Sequence, residues 1–250
     1  MESKKLHYVL QQADNVLILG QRLAEWCGHG PILEQDIAIT NISLDLIGEA
    51  RYLFQYAAEL EGNGKTEDSY PFLRKEGEFY NCLITELQNK DWAYTLIRQC
   101  MFDCYHYYYL SELSKCRDER LAAIGAKSVK EAQYHLRYSS EWVVRLGDGT
   151  EESHAKMQKA LDDYCYYFEE LFMPSEVDLA MSSEILAPDL GELKKVSYQK
   201  FQEIVGEASL QWKADCVPQK GGKQGYHTEH MGFILTELQY MQRAYPGMVW

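Results

Sequence analysis

Leu6, Leu10, Ala13, Leu17, Gly20, Ala24 and Cys27 follow one another in alternating steps of four and three. That spacing places all of them on a single face of an α-helix. An apolar stripe this long has to be covered along its length by another long element, so the opening residues already commit the chain to helices packed side by side. Gly28 and the Gly30-Pro31 pair stop this first helix. A second is expected from about Ile32 to Leu60, turning Ile39, Ile42, Leu46, Glu49, Leu53, Tyr56 and Leu60 inward, with Glu61-Gly62-Asn63-Gly64 as its stop. One carboxylate, Glu49, interrupts an otherwise apolar row.

Residues 62–90 are looser, contain Pro71 and one short amphipathic piece from Phe79 to Leu87, and read as a crossover between helix pairs. A third helix is expected from about Asp91 to Cys116, with the inward row Leu96, Cys100, Asp103, Tyr107 and Leu110. The fourth runs from its capping residue Asp118 to about Leu146, closed by Gly147-Asp148-Gly149. Its inward row is Leu121, Ile124, Ser128, Glu131, His135, Tyr138 and Trp142. A fifth follows Thr150 as far as Phe172, ahead of Pro174. Further helices are expected near Leu190 to Lys213 and from Thr228 to about Ala244, separated by a Lys/Gly loop from Pro218 to Gly225. The sequence has no internal repeat, low-complexity tract or dividing linker, so residues 1–250 read as a single all-α domain with long core helices, one crossover and extra C-terminal helices.

Charge and cysteine usage narrow the function classes. With 38 Asp and Glu against 25 Lys and Arg, the formal net charge is −13. So acidic a chain repels nucleic-acid phosphates unless its basic residues gather on one face, and the sequence shows no such gathering. No run of about 18 apolar residues is available to span a membrane, and the N-terminal stretch turns polar too soon for a signal peptide. Seven cysteines, odd in number and without a Cys-x-x-Cys pair, point to reduced thiols in a cytoplasmic protein.

Acids and an imidazole facing inward from long helices suggest a carboxylate-bridged di-iron bundle. Such a site takes one Glu or Asp from each of two helices and a Glu-x-x-His pair from each of two others. Glu25, near the end of the first helix, and Asp103, in the third, are candidates for the single carboxylates. The paired positions fail. On the second helix the i, i+3 pair is Leu46 and Glu49, with an apolar side chain where a bridging carboxylate belongs. On the fourth, Ala132 precedes His135 by three residues and supplies no oxygen; Glu131 lies about 100° round the helix from it. Two metal ions about 3.5–4 Å apart need bridging carboxylates to hold them together. A functional di-iron centre is therefore not expected, and Asp103, Glu49 and His135 read as a buried, hydrogen-bonded polar cluster, with Glu25 solvated or paired to Arg22.

Other constellations carry weaker chemistry. His227 and His230 stand at i, i+3 at the start of the last helix, and Cys27 lies close to His29, but neither pair has a third metal ligand nearby. The loop Pro218-Gln-Lys-Gly-Gly-Lys-Gln-Gly225 offers Lys220 and Lys223 as candidates for contact with coenzyme A phosphates or an acidic partner surface, without the spacing of a P-loop. The runs Tyr105 to Tyr109 and Tyr164 to Phe168 are aromatic on every helical face, so part of each is expected to meet another protein.

Three stretches carry a resemblance. QRLAEWCGHGPILEQDIAITNISLDLIGEARYLF (Gln21 to Phe54), KEAQYHLRYSSEWVVRLGDGT (Lys130 to Thr150) and the C-terminal GGKQGYHTEHMG with ELQYMQRAYPGMVW together resemble the C subunits of ring-1,2-phenylacetyl-CoA epoxidases, the phenylacetate-CoA oxygenases. The resemblance implies a ferritin-like subunit without chemistry of its own, paired with a catalytic A subunit. In that catalytic relative the ligand positions hold Glu, Glu, His, Asp, Glu and His, and they match Glu25, Leu46, Glu49, Asp103, Ala132 and His135 here, so three of the six are kept. It further implies that the cofactors sit in partners: iron in the A subunit, which binds phenylacetyl-CoA, and FAD, an iron–sulfur cluster and NADPH at a reductase subunit, with a B subunit bridging assemblies. The expected function is thus a non-catalytic scaffold of phenylacetate catabolism. An iron oxygenase with the altered set Glu25, Asp103, Glu49 and His135 is the alternative, and a self-associating structural protein the third reading.

Overall fold

The computed structural model describes residues 2–184, 186–213 and 215–248. Among the described residues every regular element is helical, and the long antiparallel helix pairs are those of a ferritin-like bundle. Residues 2–87, 175–181 and 221–248 group into one compact unit; residues 88–174, with the described residues between 182 and 220, group into another.

In the first unit α1 (Glu2–Ala24) lies antiparallel to α2 (Leu33–Glu61). The register is set where Ser43 Oγ donates to the Gly20 carbonyl, 2.8 Å away, and Lys5 Nζ donates to the Tyr56 hydroxyl at 3.1 Å. The first helix ends one turn earlier than its apolar spacing implies, at Ala24, because the chain turns through Trp26, Cys27 and His29. Its burial is also wider than a stripe: residues from Tyr8 to Gly20 are buried on every side. The polar residues this brings inside are held by specific partners. Asp14 forms a two-pronged ion pair with Arg74 and accepts from Tyr80 N at 2.9 Å; Asn15 Oδ1 accepts from Cys82 N at 2.7 Å. These bonds lay the crossover, including α3 (Ser69–Leu73), along α1.

In the second unit α4 (Trp92–Leu113) lies antiparallel to α5 (Glu119–Gly147), followed by α6 (Glu151–Phe168); α7 (Glu176–Ser183) begins in the first unit, and α8 (Leu190–Glu207) belongs to the second. Helix starts follow local chemistry. Asp91 caps α4 through Tyr94 N, Asp118 caps α5 through Arg120 N and Leu121 N, and Asp189 caps α8 through Glu192 N. Gly125 allows the close crossing of α4 and α5, since a Cβ there would meet Ser114 N at 2.8 Å and the Leu110 carbonyl at 3.2 Å. The last helix, α9 (Glu229–Ala244), is capped by Thr228 in the first unit.

Two expectations need correction. The helix expected to reach Lys213 ends at Glu207, because Ser209 takes φ +56° and turns the chain back along α6. That return brings Cys216 to Cys165, 51 residues away in sequence, as a disulfide with the Cα atoms 6.3 Å apart. Cys27, Cys82, Cys100, Cys104 and Cys116 remain thiols. Each aromatic run is divided: Tyr105, His106, Tyr109, Tyr164 and Phe168 are buried in the unit's own core, while Tyr107 and Tyr108 are half-buried and Tyr166 is exposed. Among the described residues no helix is long and apolar enough to cross a membrane.

Candidate functional site

The six positions that a bridged metal pair would need fall three in each unit. In the first, Glu25 lies beyond the end of α1 on the surface, where its carboxylate takes Arg22 Nη1 at 2.6 Å. Leu46 and Glu49 do share the buried face of α2, as their spacing requires. Leu46 brings no donor atom to it.

In the second unit Asp103 on α4 is buried, as are Ala132 and His135 one turn apart on α5. Glu131 and Trp142, expected inward, are half-exposed, and Ala132 and Val143 take the buried places. Both Asp103 oxygens are engaged: Oδ1 accepts from Gln99 Nε2 at 2.8 Å and Oδ2 from Ser139 Oγ at 2.7 Å. Burial pushes this carboxyl up to about 6, against the opposing pull of His135, Ser139, Gln99 and His106. Leu46 and Ala132 supply no oxygen at all, so the residues present do not fit a carboxylate-bridged iron pair. Among the described residues no three of His, Cys, Asp and Glu are grouped to hold a metal ion.

The remaining candidates are placed as follows. His227 is sealed in the first unit, with Nδ1 2.9 Å from Glu86 Oε2 and Nε2 3.0 Å from the Phe79 carbonyl. Both ring nitrogens are thereby spent, which leaves none for a metal shared with His230. Burial opposes its charge, but Glu86 and the Phe79 carbonyl outweigh it and hold the imidazole above its ordinary value. Cys27 and His29 are exposed on the turn after α1. Lys220 is exposed, whereas Lys223 is buried with Nζ 3.1 Å from Asp178 Oδ2 and is not available to a coenzyme A phosphate. Gly221 at φ +137° and Gly225 at φ +79° let the loop fold inward to make that bond.

Periodicity alone does not reveal the ion pairs Glu86–His227, Asp178–Lys223 and Asp14–Arg74. One signal for them is present: Gln11, Gln12, Asp14 and Asn15 crowd the middle of an apolar helix, which an exposed polar face alone would explain less well than burial among partners. The partners of Gln11, Asp14 and Asn15 lie between 60 and 167 residues away, beyond any periodic pattern.

Comparison with known proteins meets this geometry. The profile of the family described as phenylacetic acid catabolic protein matches residues 1–250. The chain is 45% identical over 243 residues to the C subunit of the 1,2-phenylacetyl-CoA epoxidase of Escherichia coli (strain K12), an alignment that covers 97% of this chain and 98% of that protein. A helical chain matched by the profile over residues 1–250 is a member of the phenylacetic acid catabolic protein family.

Proposed function

We propose that this chain is a non-catalytic structural subunit of a phenylacetyl-CoA epoxidase, which binds and stabilises an iron-bearing catalytic subunit in the cytoplasm. The observation that carries this reading is the pair of buried apolar side chains, Leu46 and Ala132, at the positions where bridging carboxylates are expected. The 45% identity to the C subunit of an epoxidase supports the place in the complex. Further support comes from α2, where Leu33, Ile37 and Leu44 are more than half exposed on one side of the helix; an apolar row facing water is a common mark of a subunit that is covered in an assembly. Iron, flavin, iron–sulfur and nicotinamide chemistry then belongs to partner subunits, and this chain contributes shape and stability by mass action.

Co-expression with the catalytic subunit of the same complex tests the reading. The expected result is a stable complex in which iron resides with the partner and epoxidation falls sharply when this chain is left out. A chain that purifies alone with near-stoichiometric iron, lost in His135→Ala, would replace this reading with that of an oxygenase using an altered ligand set. Failure to associate, with epoxidation unchanged, removes the scaffold role altogether.

A further inference from the structure

We propose that Cys165 and Cys216 form a thiol–disulfide switch that sets how firmly the segment after α8 is strapped to α6. Independent of the chain's place in any complex, the inference stands on how that segment is held. At its start Gln211 N donates to Gln158 Oε1 at 2.8 Å, and Gln158 Nε2 donates back to the Gln211 carbonyl at 2.9 Å. The Trp212 ring then packs against Tyr198, Phe201 and Phe168, with centroids 4.9, 5.0 and 5.9 Å away. At its far end Gln219 N donates to the Tyr166 carbonyl at 2.8 Å. Between these ties sits the sulfur pair.

This arrangement has what a reversible bond needs. Ties on either side keep the two sulfurs facing each other when the bond is open, so closing it again requires no search through conformations. Cys165 is on the buried side and Cys216 is half exposed, so a small thiol or disulfide reaches the pair through Cys216. Among the described residues no second disulfide stabilises the fold. The buried alternatives are inert: Cys82, Cys100 and Cys104 are sealed from solvent, and burial pushes the Cys104 thiol well above its ordinary value.

The oxidant is a low-molecular-weight disulfide. The Cys216 thiolate attacks one of its sulfurs, breaking that S–S bond and expelling one small thiol; the Cys165 thiolate then attacks Cys216 Sγ and expels the second. Two protein thiols thus lose two protons and two electrons, and the reagent takes them up as two thiols. The reverse sequence, with small thiols in excess, opens the pair and leaves the middle of the strap held by its end contacts alone.

Native full-length chain equilibrated in graded mixtures of reduced and oxidised glutathione tests this. After denaturing alkylation and mass spectrometry, the expected count is five labelled thiols with a linked Cys165–Cys216 peptide pair at the oxidised end and seven labelled thiols at the reduced end. Amide exchange of peptides between 209 and 219 should quicken about tenfold on reduction while α1 and α2 peptides stay unchanged. Cys216→Ser, at the half-exposed position, should show six labelled thiols and the amide exchange of the reduced chain at every ratio. Seven thiols at every ratio, or five throughout including native reduction by excess dithiothreitol, overturns the proposal, as does exchange in 209–219 that ignores the redox state.

Discussion

Burial lifts the Asp103 carboxyl to about 6, so between roughly pH 4 and pH 6 the folded chain holds a proton that the unfolded chain has released. Stability therefore falls as pH rises through that window, and the full cost persists above it. Asp103→Asn removes the charge while keeping the shape, and is expected to raise unfolding stability by about 1–2 kcal/mol at pH 8, with the gain vanishing below pH 4; urea titrations at the two pH values check it. His227 gives the same sign at higher pH. Its folded value is raised, so its contribution is complete below about 6.5 and is lost as pH climbs through the folded value. His227→Gln should accordingly destabilise more at pH 6 than at pH 9 in the same assay. Neither effect was legible in the sequence, where His135 and Asp103 stood out by their place in an apolar row but Glu86, the partner of His227, lay 141 residues away.

Between elements, stability rests on two unlike contacts. The crossover is fixed to α1 by a buried charge pair, and Arg74→Met would leave Asp14, fully buried, without its cation. Removing one member of such a pair costs about 3–5 kcal/mol, so a large drop in the thermal midpoint is expected by calorimetry. The α4–α5 crossing depends instead on the missing side chain of Gly125, and Gly125→Ala should cost about 1–3 kcal/mol by pressing a methyl into the Ser114 backbone. Long helices and their caps were readable because Asp91, Asp118, Thr150 and Thr228 stand where periodic rows begin, and each does cap its helix. Helix ends were less so. Glu25 sits close to the row of α1 by spacing, yet the helix stops one residue before it. The row expected to reach Lys213 was broken by a left-handed Ser209, a conformation that no residue type at that position announces.

For the molecule as a whole, the exposed row of Leu33, Ile37 and Leu44 is the feature most relevant to assembly. Leu44→Glu, at a side chain 60% exposed, should change unfolding stability by no more than about 0.5 kcal/mol, while reducing recovery of the catalytic subunit in a pull-down. Equal recovery would place the contact elsewhere. The sequence pattern placed part of each aromatic run against another protein, but helix periodicity says only that such a run has no polar face; which of its rings are covered from within is decided by elements far along the chain. That same distance shapes how the protein is made. The anions Glu86 and Asp178 receive their cations from His227 and Lys223, near the end of the chain. During synthesis both carboxylates leave the ribosome well before their partners do, so the first unit cannot seal until the last stretch emerges, and a chain halted before residue 221 carries an open, proteolysis-prone core.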